Sequence, residues 1–562
     1  SAQSVFELKP NAWYMTRRFA APPPLCIAAA CLSQCGVASA SRPHVLFVVV
    51  DDLGFTDVGF RSHDIRTPTI DALAANGVVL DRYYVQDVCS PSRATFMTGR
   101  YAMHHGIVDW IPPASAYGLP LNETTMADKF KEAGYATHAV GKWHLGFYRK
   151  EFTPTFRGFD SFFGFYGGGE SYFRHRNGGH YDFRRDPFPR CGPGCSRIVG
   201  EANGLYSTTL FSEEAARVVR AHPEGVPLFL YLAYQAVHSP AEVPQAYIDD
   251  YNETIQDPMR RKYAGMLSCL DEGLANVTTA LRERGMMDDT LVVFTTDNGG
   301  PIGAGDGIGA RNWPLRGGKH SVWEGGTRGT AFLHGRVLRR RGYAFAHLMH
   351  GADWLPTLGA VAGFDVSTIP LPLDGVSQWD AINGGNGHAA QRTGFVYGNS
   401  TDTCTRALPE HESPRPGTAP CGFAIRDRQW KLVLGYGGAP DAWCNRSSAG
   451  LSCRDFVAWA PSPGPAARPS APAPGPHPPL PACLEAGLCL WDVEADPYER
   501  VEVSRGHLGV VATLREKMAA TLKGYRSYQL DPSCGAPTFE HDDQVGSTWA
   551  PWCDRQVSEV LI

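Results

Sequence analysis

Residues 44–50 (His-Val-Leu-Phe-Val-Val-Val) form an unbroken apolar, largely β-branched run that stops at two adjacent aspartates, Asp51 and Asp52. Such a run has no polar face, so it is predicted as a strand buried on both sides, as in a parallel sheet covered by helices. The pattern recurs. Residues 135–140 lead into Gly141-Lys142-Trp143-His144, residues 228–233 precede His238, and residues 291–296 lead into Asp297-Asn298-Gly299-Gly300. Helical stretches lie between them: 68–77; 124–134, where Thr125 and Asp128 suit a capping box and Gly134 a stop; and a long amphipathic segment over 260–284. This alternation predicts an α/β fold, with a large, mainly parallel sheet flanked by helices. Open sheets of this class bind ligands outside the carboxyl ends of their strands, where these polar residues collect.

The texture changes after about residue 385. Residues 395–397 and 430–434 read as short antiparallel strands, order returns at Leu490-Trp491-Asp492, and a helix is expected over 508–523. Residues 461–481 hold 10 of the 43 prolines and read as an extended, solvated loop. The organisation expected is a leader and signal peptide over 1–40, an α/β domain over 41–385, and a smaller C-terminal antiparallel-sheet subdomain over 386–562 that contains the Pro-rich loop. The signal reading rests on Met15, on Arg17 and Arg18, on the short apolar stretch 25–32 and on Ala38-Ser39-Ala40 as a cleavage site. Five N-x-[ST] sequons, at Asn122, Asn252, Asn276, Asn399 and Asn445, agree with passage through the secretory pathway. No stretch is long enough to span a bilayer. The 52 Lys+Arg against 57 Asp+Glu leave a net charge of −5, which argues against a nucleic-acid partner. Fifteen cysteines suit an oxidising compartment, and Cys191-Gly-Pro-Gly-Cys195 spans a turn that one disulfide could close.

Asp51, Asp52, Asp297 and Asn298 offer only oxygen donors at matched strand ends. Adjacent carboxylates repel unless a cation lies between them, and an oxygen-only set suits Ca²⁺ or Mg²⁺ rather than Zn²⁺. Each pair taken alone reads better as a turn; the matched strand-end positions taken together favour the metal. Arg93, Lys142, His144, His238 and Lys319 stand at similar positions, and such a set around a metal can neutralise a tetrahedral oxyanion, sulfate or phosphate.

Cys89-Ser90-Pro91-Ser92-Arg93, with Thr98-Gly99-Arg100 behind it, resembles the signature of the type I sulfatase family. The stretch from Gly134 to His144 resembles that family's second signature. The resemblance continues through Asp51-Asp52, His238, Asp297-Asn298-Gly299, Lys319 and the stretch from Leu490 to Glu499. It implies the alkaline-phosphatase-like sulfatase fold and hydrolysis of a sulfate ester, carried by a sugar or an aryl group. It further implies that a formylglycine-generating enzyme oxidises Cys89 to Cα-formylglycine, whose hydrate is the nucleophile. The metal, with Ca²⁺ favoured over Mg²⁺, would be held by Asp51, Asp52, Asp297, Asn298 and residue 89. Arg93 would hold residue 89 and the metal-side carboxylates, Lys142 and Lys319 the sulfate oxygens. His238, or Lys319 with it, would protonate the leaving alcohol, and His144 would act on the formylglycine hydroxyl. Within the family, residues 312–326, Asp353-Trp-Leu-Pro-Thr-Leu358 and Leu373-Asp-Gly375 are most similar to the N-acetylgalactosamine-4-sulfatase subgroup, although Gly318 stands where that subgroup is expected to carry Arg. A lysosomal or extracellular destination follows from the resemblance. With Cys89 modified, Cys269 a buried thiol and three cysteines lost with the signal, ten remain, enough for five disulfides. The competing readings are a phosphatase of the same superfamily, which would offer Ser or Thr at position 89, a sulfatase paralogue acting on a different ester, and a silent secreted glycan-binding protein, which would need a broken site.

Overall fold

The computed structural model describes residues 42–192, 194–302, 309–384, 392–399, 422–435, 437 and 487–554. The expected signal peptide, the sequon at Asn445, the Pro-rich stretch 461–481 and cysteines 404, 421, 444, 453 and 483 lie outside the described residues.

The run at 44–50 is strand β1 (His44–Val50), and its alternate side chains part to two separate cores. Leu46, Val48 and Val50 join Phe211, Leu267 and Leu274 from the helices Ser207–Ala221 and Pro258–Glu283. Val45, Phe47 and Val49 join Phe96, Phe130 and Trp354 on the other face. A strand apolar on both sides is therefore sandwiched between helical layers, as its composition demands. In chain order the remaining strands are β2 (Val78–Tyr84), β3 (Ala136–Lys142), β4 (Ser161–Phe165), β5 (Arg176–Asn177), β6 (His180–Tyr181), β7 (Arg184–Asp186), β8 (Arg197–Ile198), β9 (Leu228–Ala233), β10 (Thr290–Thr296), β11 (Ala331–His334), β12 (Tyr343–His350), β13 (Gly394–Asn399), β14 (Gly422–Asp427), β15 (Trp430–Gly435), β16 (Leu488–Asp492), β17 (Glu540–Asp542) and β18 (Gly546–Thr548).

Ten of them form one sheet in the order β12-β2-β11-β10-β1-β9-β3-β4-β7-β8. Its centre, β10-β1-β9-β3-β4, is parallel throughout, while β11, β7 and β8 run antiparallel to their neighbours, so the sheet is mixed around a parallel middle. The register pairs Val50 with Thr296, and both Val49 and Gly141 with Ala233, so the carboxyl ends of four adjacent strands lie level. The four-stranded antiparallel sheet β13-β14-β15-β16 is the expected C-terminal one. A third sheet, β17-β18-β6-β5, was not anticipated: it brings residues 540–548 back to the segment that follows β4.

Helix boundaries agree with local chemistry. Pro68–Ala75 begins on its proline, and Met126–Glu132 carries the Thr125–Asp128 capping box in both directions. Pro258–Glu283 and Leu508–Leu522 match the two segments expected at 260–284 and 508–523. Among the described residues no helix is long and apolar enough to cross a membrane. Cys191 and Cys195 form a disulfide, Cys489 is also disulfide-bonded, and Cys269 is a buried thiol. Cys534 and Cys553, included in the count of ten half-cystines, are free thiols. Counting cysteines gives an upper limit on bridges, and their geometry decides which of them form.

The small sheet is fastened to the large one by charge. Lys431 on β15 is fully buried, with Nζ 3.1 Å from Glu324 and 2.6 Å from Glu499. Nearby, Trp323 meets Trp491 edge-on at 5.3 Å. Removing the ammonium leaves two neighbouring buried carboxylates without the cation they share, so Lys431→Met is expected to cost roughly 3–5 kcal/mol. Urea unfolding of this variant measures that loss, and a midpoint equal to the parent's would refute it.

Candidate active site

The level strand ends place the polar residues within reach of one another. Asp51 and Asp52 follow β1, Asp297 and Asn298 follow β10, Lys142 ends β3, and His238 follows β9. Cys89 opens the helix Cys89–Thr98, and its Sγ donates to Asp51 Oδ1 at 3.4 Å. One ligand atom each from Asp51, Asp52, Cys89 and His238 lie within 4.8 Å of one another. Asp297 and Asn298 border this group: the Asp52 amide donates to Asp297 Oδ1 (3.4 Å), and Asn298 Nδ2 donates to Asp52 Oδ1 (2.7 Å).

Arg93 lies one helical turn after Cys89 and is fully buried. Its guanidinium sits 2.8 Å from Asp297 Oδ2 and 3.3 Å from Asp51 Oδ2, and Nη1 donates to the Lys142 carbonyl. The Lys142 ammonium pairs with Asp51 Oδ2, and Lys319 Nζ lies 3.0 Å from Asp52 Oδ2. His238 Nε2 stands 3.8 Å from the same Asp52 oxygen, while Nδ1 faces the Ser239 carbonyl at 2.7 Å. All ten expected site residues except His144 thus belong to one web of contacts, and His144 borders it. Its Nε2 donates to the Ile111 carbonyl (3.1 Å), which leaves buried Nδ1 with no hydrogen-bond partner.

Burial and charge set the electrostatics together. Burial works against ionisation of Asp51, but Lys142, His238, Arg93 and Lys319 outweigh it and hold the carboxyl far below the usual range. Asp297 goes the other way: burial, then the Asp51 charge, raises it to about 6 despite Arg93. Burial opposes the Lys319 ammonium, yet Asp52, Cys89 and Asp51 together raise its pKa. Burial pushes the Cys89 thiol up, and Asp51 adds to the effect. Burial, Lys142 and Arg93 keep His144 neutral.

The site opens into a cavity of about 480 Å³, lined by Cys89, His144, His238 and Lys319 at its base and by Trp110, residues 168–171, Arg176 and His320 farther out. Glu170 and Gln235 exchange two hydrogen bonds that tie this wall to the end of β9: the Glu170 amide donates to Gln235 Oε1 and Gln235 Nε2 to the Glu170 carbonyl. A Cβ on Gly168 would lie 2.5 Å from His144 Nε2, so only glycine lets the wall close on that ring.

The sulfatase family profile matches residues 43–364, which include every one of these groups. Mouse arylsulfatase J is 36% identical over 533 residues, covering 92% of this chain and 82% of its own length. This chain belongs to the sulfatase family. Bovine arylsulfatase A is 33% identical, over 64% of this sulfatase and 72% of its own length. Mouse N-acetylgalactosamine-6-sulfatase is 30% identical, over 53% and 58%. Among solved structures, Ps i-CgsB in complex with k-i-k-neocarrahexaose superposes with a TM-score of 0.66 at 28% identity, covering 86% of this chain and 94% of the other. The protein is thus a hydrolase of sulfate esters, and the relatives' names span several esters without singling out the 4-sulfatase subgroup.

Gly318, where Arg was expected, has no room for a side chain in this sulfatase: a Cβ there would meet the Gly300 carbonyl at 2.4 Å and Ile302 at 2.8 Å. Sequence reasoning missed Trp110, Arg176 and Glu170, none of which follows an apolar strand, and also Gln235, which lies two residues past β9. Gly168-Gly169 in the run Gly167-Gly168-Gly169 was the available signal, since such runs mark close approach. If the His144 ring must sit where it does, Gly168→Ala lowers kcat on an aryl sulfate about 10- to 100-fold with folding preserved. Steady-state kinetics beside a thermal melt test this, and an unchanged kcat would discard the role given to the close contact.

Proposed function

We propose that this sulfatase removes sulfate from a sulfated sugar, with N-acetylgalactosamine 4-sulfate in dermatan or chondroitin sulfate as the preferred ester. The observation that carries the reading is the convergence of Cys89, His144, His238 and Lys319 on one cavity beside the cradle of Asp51, Asp52, Asp297 and Asn298. The similarity of residues 312–326 to the 4-sulfatase subgroup supports the choice of ester.

The donor set fits a divalent cation. Buried Asn298 Oδ1 has no hydrogen-bond partner, and a buried amide oxygen left open in this way suits a ligand to a hard ion. Asp51, Asp52, Asp297, Asn298 and residue 89 would hold Ca²⁺, which would polarise a sulfate oxygen and acidify a bound hydroxyl. Residue 89 fits the modification as well, at the buried start of a helix, in a cavity and next to a carboxylate. As the Cα-formylglycine hydrate it supplies one hydroxyl for attack and a second whose deprotonation restores the aldehyde.

The chain's own groups perform the rest. Lys142 and Lys319 hold the sulfate oxygens, each already fixed by an aspartate. Arg93 anchors the helix that carries residue 89 to both metal-side carboxylates. His238 presents Nε2 toward the leaving oxygen because Nδ1 is held by the Ser239 carbonyl, and Lys319 assists it. His144 offers Nδ1 to a hydroxyl on residue 89, its Nε2–H being fixed on Ile111. The leader and sequons support maturation in the secretory pathway, with a formylglycine-generating enzyme as partner and a lysosomal or extracellular destination. Asn122 and Asn252 are exposed, as acceptors of glycans require, while Asn276 is half-buried within the helix Pro258–Glu283 and Asn399 falls on β13.

Two measurements test the reading. In protein made by a host able to carry out the modification, the peptide containing residue 89 is expected about 18 Da lighter than its cysteine form, the atomic difference between CH₂SH and an aldehyde, off the ordinary oxidation ladder. Cys89→Ala is expected to abolish turnover and leave the melting curve in place. Free Cys89 in active protein would end the formylglycine mechanism. Across a panel of 4- and 6-sulfated N-acetylgalactosamine substrates the 4-sulfate is expected to be preferred. Hydrolysis of the 6-sulfate alone, or of neither, would reject the ester assigned.

A further inference from the structure

The cavity is larger than a sulfate group requires, and its charged side chains are not equally satisfied. Lys319 pairs with Asp52, and Glu170 pairs with His175 at 3.0 Å. Arg176 makes no ion pair among the described residues. Its Nη1 donates to the Gly179 carbonyl (2.9 Å) and its Nη2 to the Val545 carbonyl (2.6 Å). Two neutral acceptors fix the guanidinium in place but leave its charge unanswered, at the wall of a site built for anions. The setting is rigid. Arg176 lies on β5, whose partner β6 pairs with β18, and its own amide donates to Ser171 Oγ. Trp110 lines the same cavity and is 45% exposed, an aromatic face of the kind that supports a flat apolar surface.

We propose that Arg176 binds a second anionic group on the substrate, carried by a sugar ring next to the one that bears the scissile sulfate, with Trp110 beneath a ring. This rests on the sulfated-sugar reading above and adds to it the residue that reads the neighbouring ring, so that an acidic oligosaccharide is preferred over an isolated monosaccharide or aryl sulfate through Arg176. A carboxylate of a uronic acid and a second sulfate ester present the same chemistry to a guanidinium, which takes either in a bidentate pair. Arg176 is here a specificity residue. It does not touch the reacting sulfur, so its contribution falls on substrates long enough to reach it.

The test is kinetic, on the modified, metal-loaded protein. Four substrates are compared: 4-methylumbelliferyl sulfate, a 4-sulfated disaccharide with a uronic acid neighbour, its carboxyl-reduced counterpart, and the reduced disaccharide carrying a second sulfate on the neighbouring ring. Arg176→Gln is expected to lower kcat/KM on the uronic acid substrate at least about tenfold more than on the aryl sulfate, chiefly through KM, with partial recovery in Arg176→Lys. The parent protein is expected to lose a similar factor when the carboxyl is reduced. A differential loss confined to the doubly sulfated substrate would support the anchor and name sulfate as its anion. Equal losses on all four substrates would show a purely structural role through Val545 and overturn the proposal, as would no loss on either anionic disaccharide. If the parent hydrolyses no sulfate ester at all, the catalytic reading fails first and the anchor falls with it, a result plainly distinct from equal losses.

Discussion

Arg93 is a buried cation clamped between two buried carboxylates, and the rest of the site is arranged around the cost of keeping it there. Taking such charges out of water is expensive, and the cost is offset only when every partner is in place. Asp51 must therefore sit at the end of β1, Asp297 at the end of β10, and the Lys142 carbonyl at the end of β3. The level register of the parallel strands supplies those positions. Because Arg93 follows Cys89 by one helical turn, the same clamp fixes the rotation of the helix and so the direction in which residue 89 points.

The charges also balance. Asp51, Asp52 and Asp297 carry three formal negative charges, and Arg93, Lys142 and Lys319 three positive ones. A web that is neutral by itself can be buried. A divalent cation held there would turn it positive, which would favour an incoming sulfate ester over a neutral ligand of the same shape. The two histidines contribute little charge, His144 least of all because burial keeps it neutral.

What could be read from the sequence was whatever local chemistry determines. β1, β9 and β10 were legible because a strand buried on both faces leaves no polar residue inside it, and the Met126–Glu132 helix because its capping box is contained in four residues. Most site residues were legible because they follow such a strand or belong to a signature; Lys319, far past the end of β10, does neither. The helix Cys89–Thr98 was not: Ser90, Ser92, Arg93, Thr95 and Thr98 are spread among its apolar residues and all ten are buried, so no apolar stripe gives it a period. β2 mixes Asp81 and Arg82 into its apolar residues and gives no clean alternation. The strands that position Arg176 are two or three residues long and pair across more than 360 positions, a distance at which no local pattern operates.

The return of residues 540–548 to β6 has a consequence in time. The pocket wall gains its outer strands only after nearly the whole chain has been made, and Thr548 follows Cys89 by 459 positions. At roughly 5–20 residues per second, synthesis of that stretch occupies about 20–90 s. In the finished fold residue 89 is only 2% exposed, out of reach of another protein's active site. An enzyme acting on that side chain from outside would have to reach it before the elements around it close.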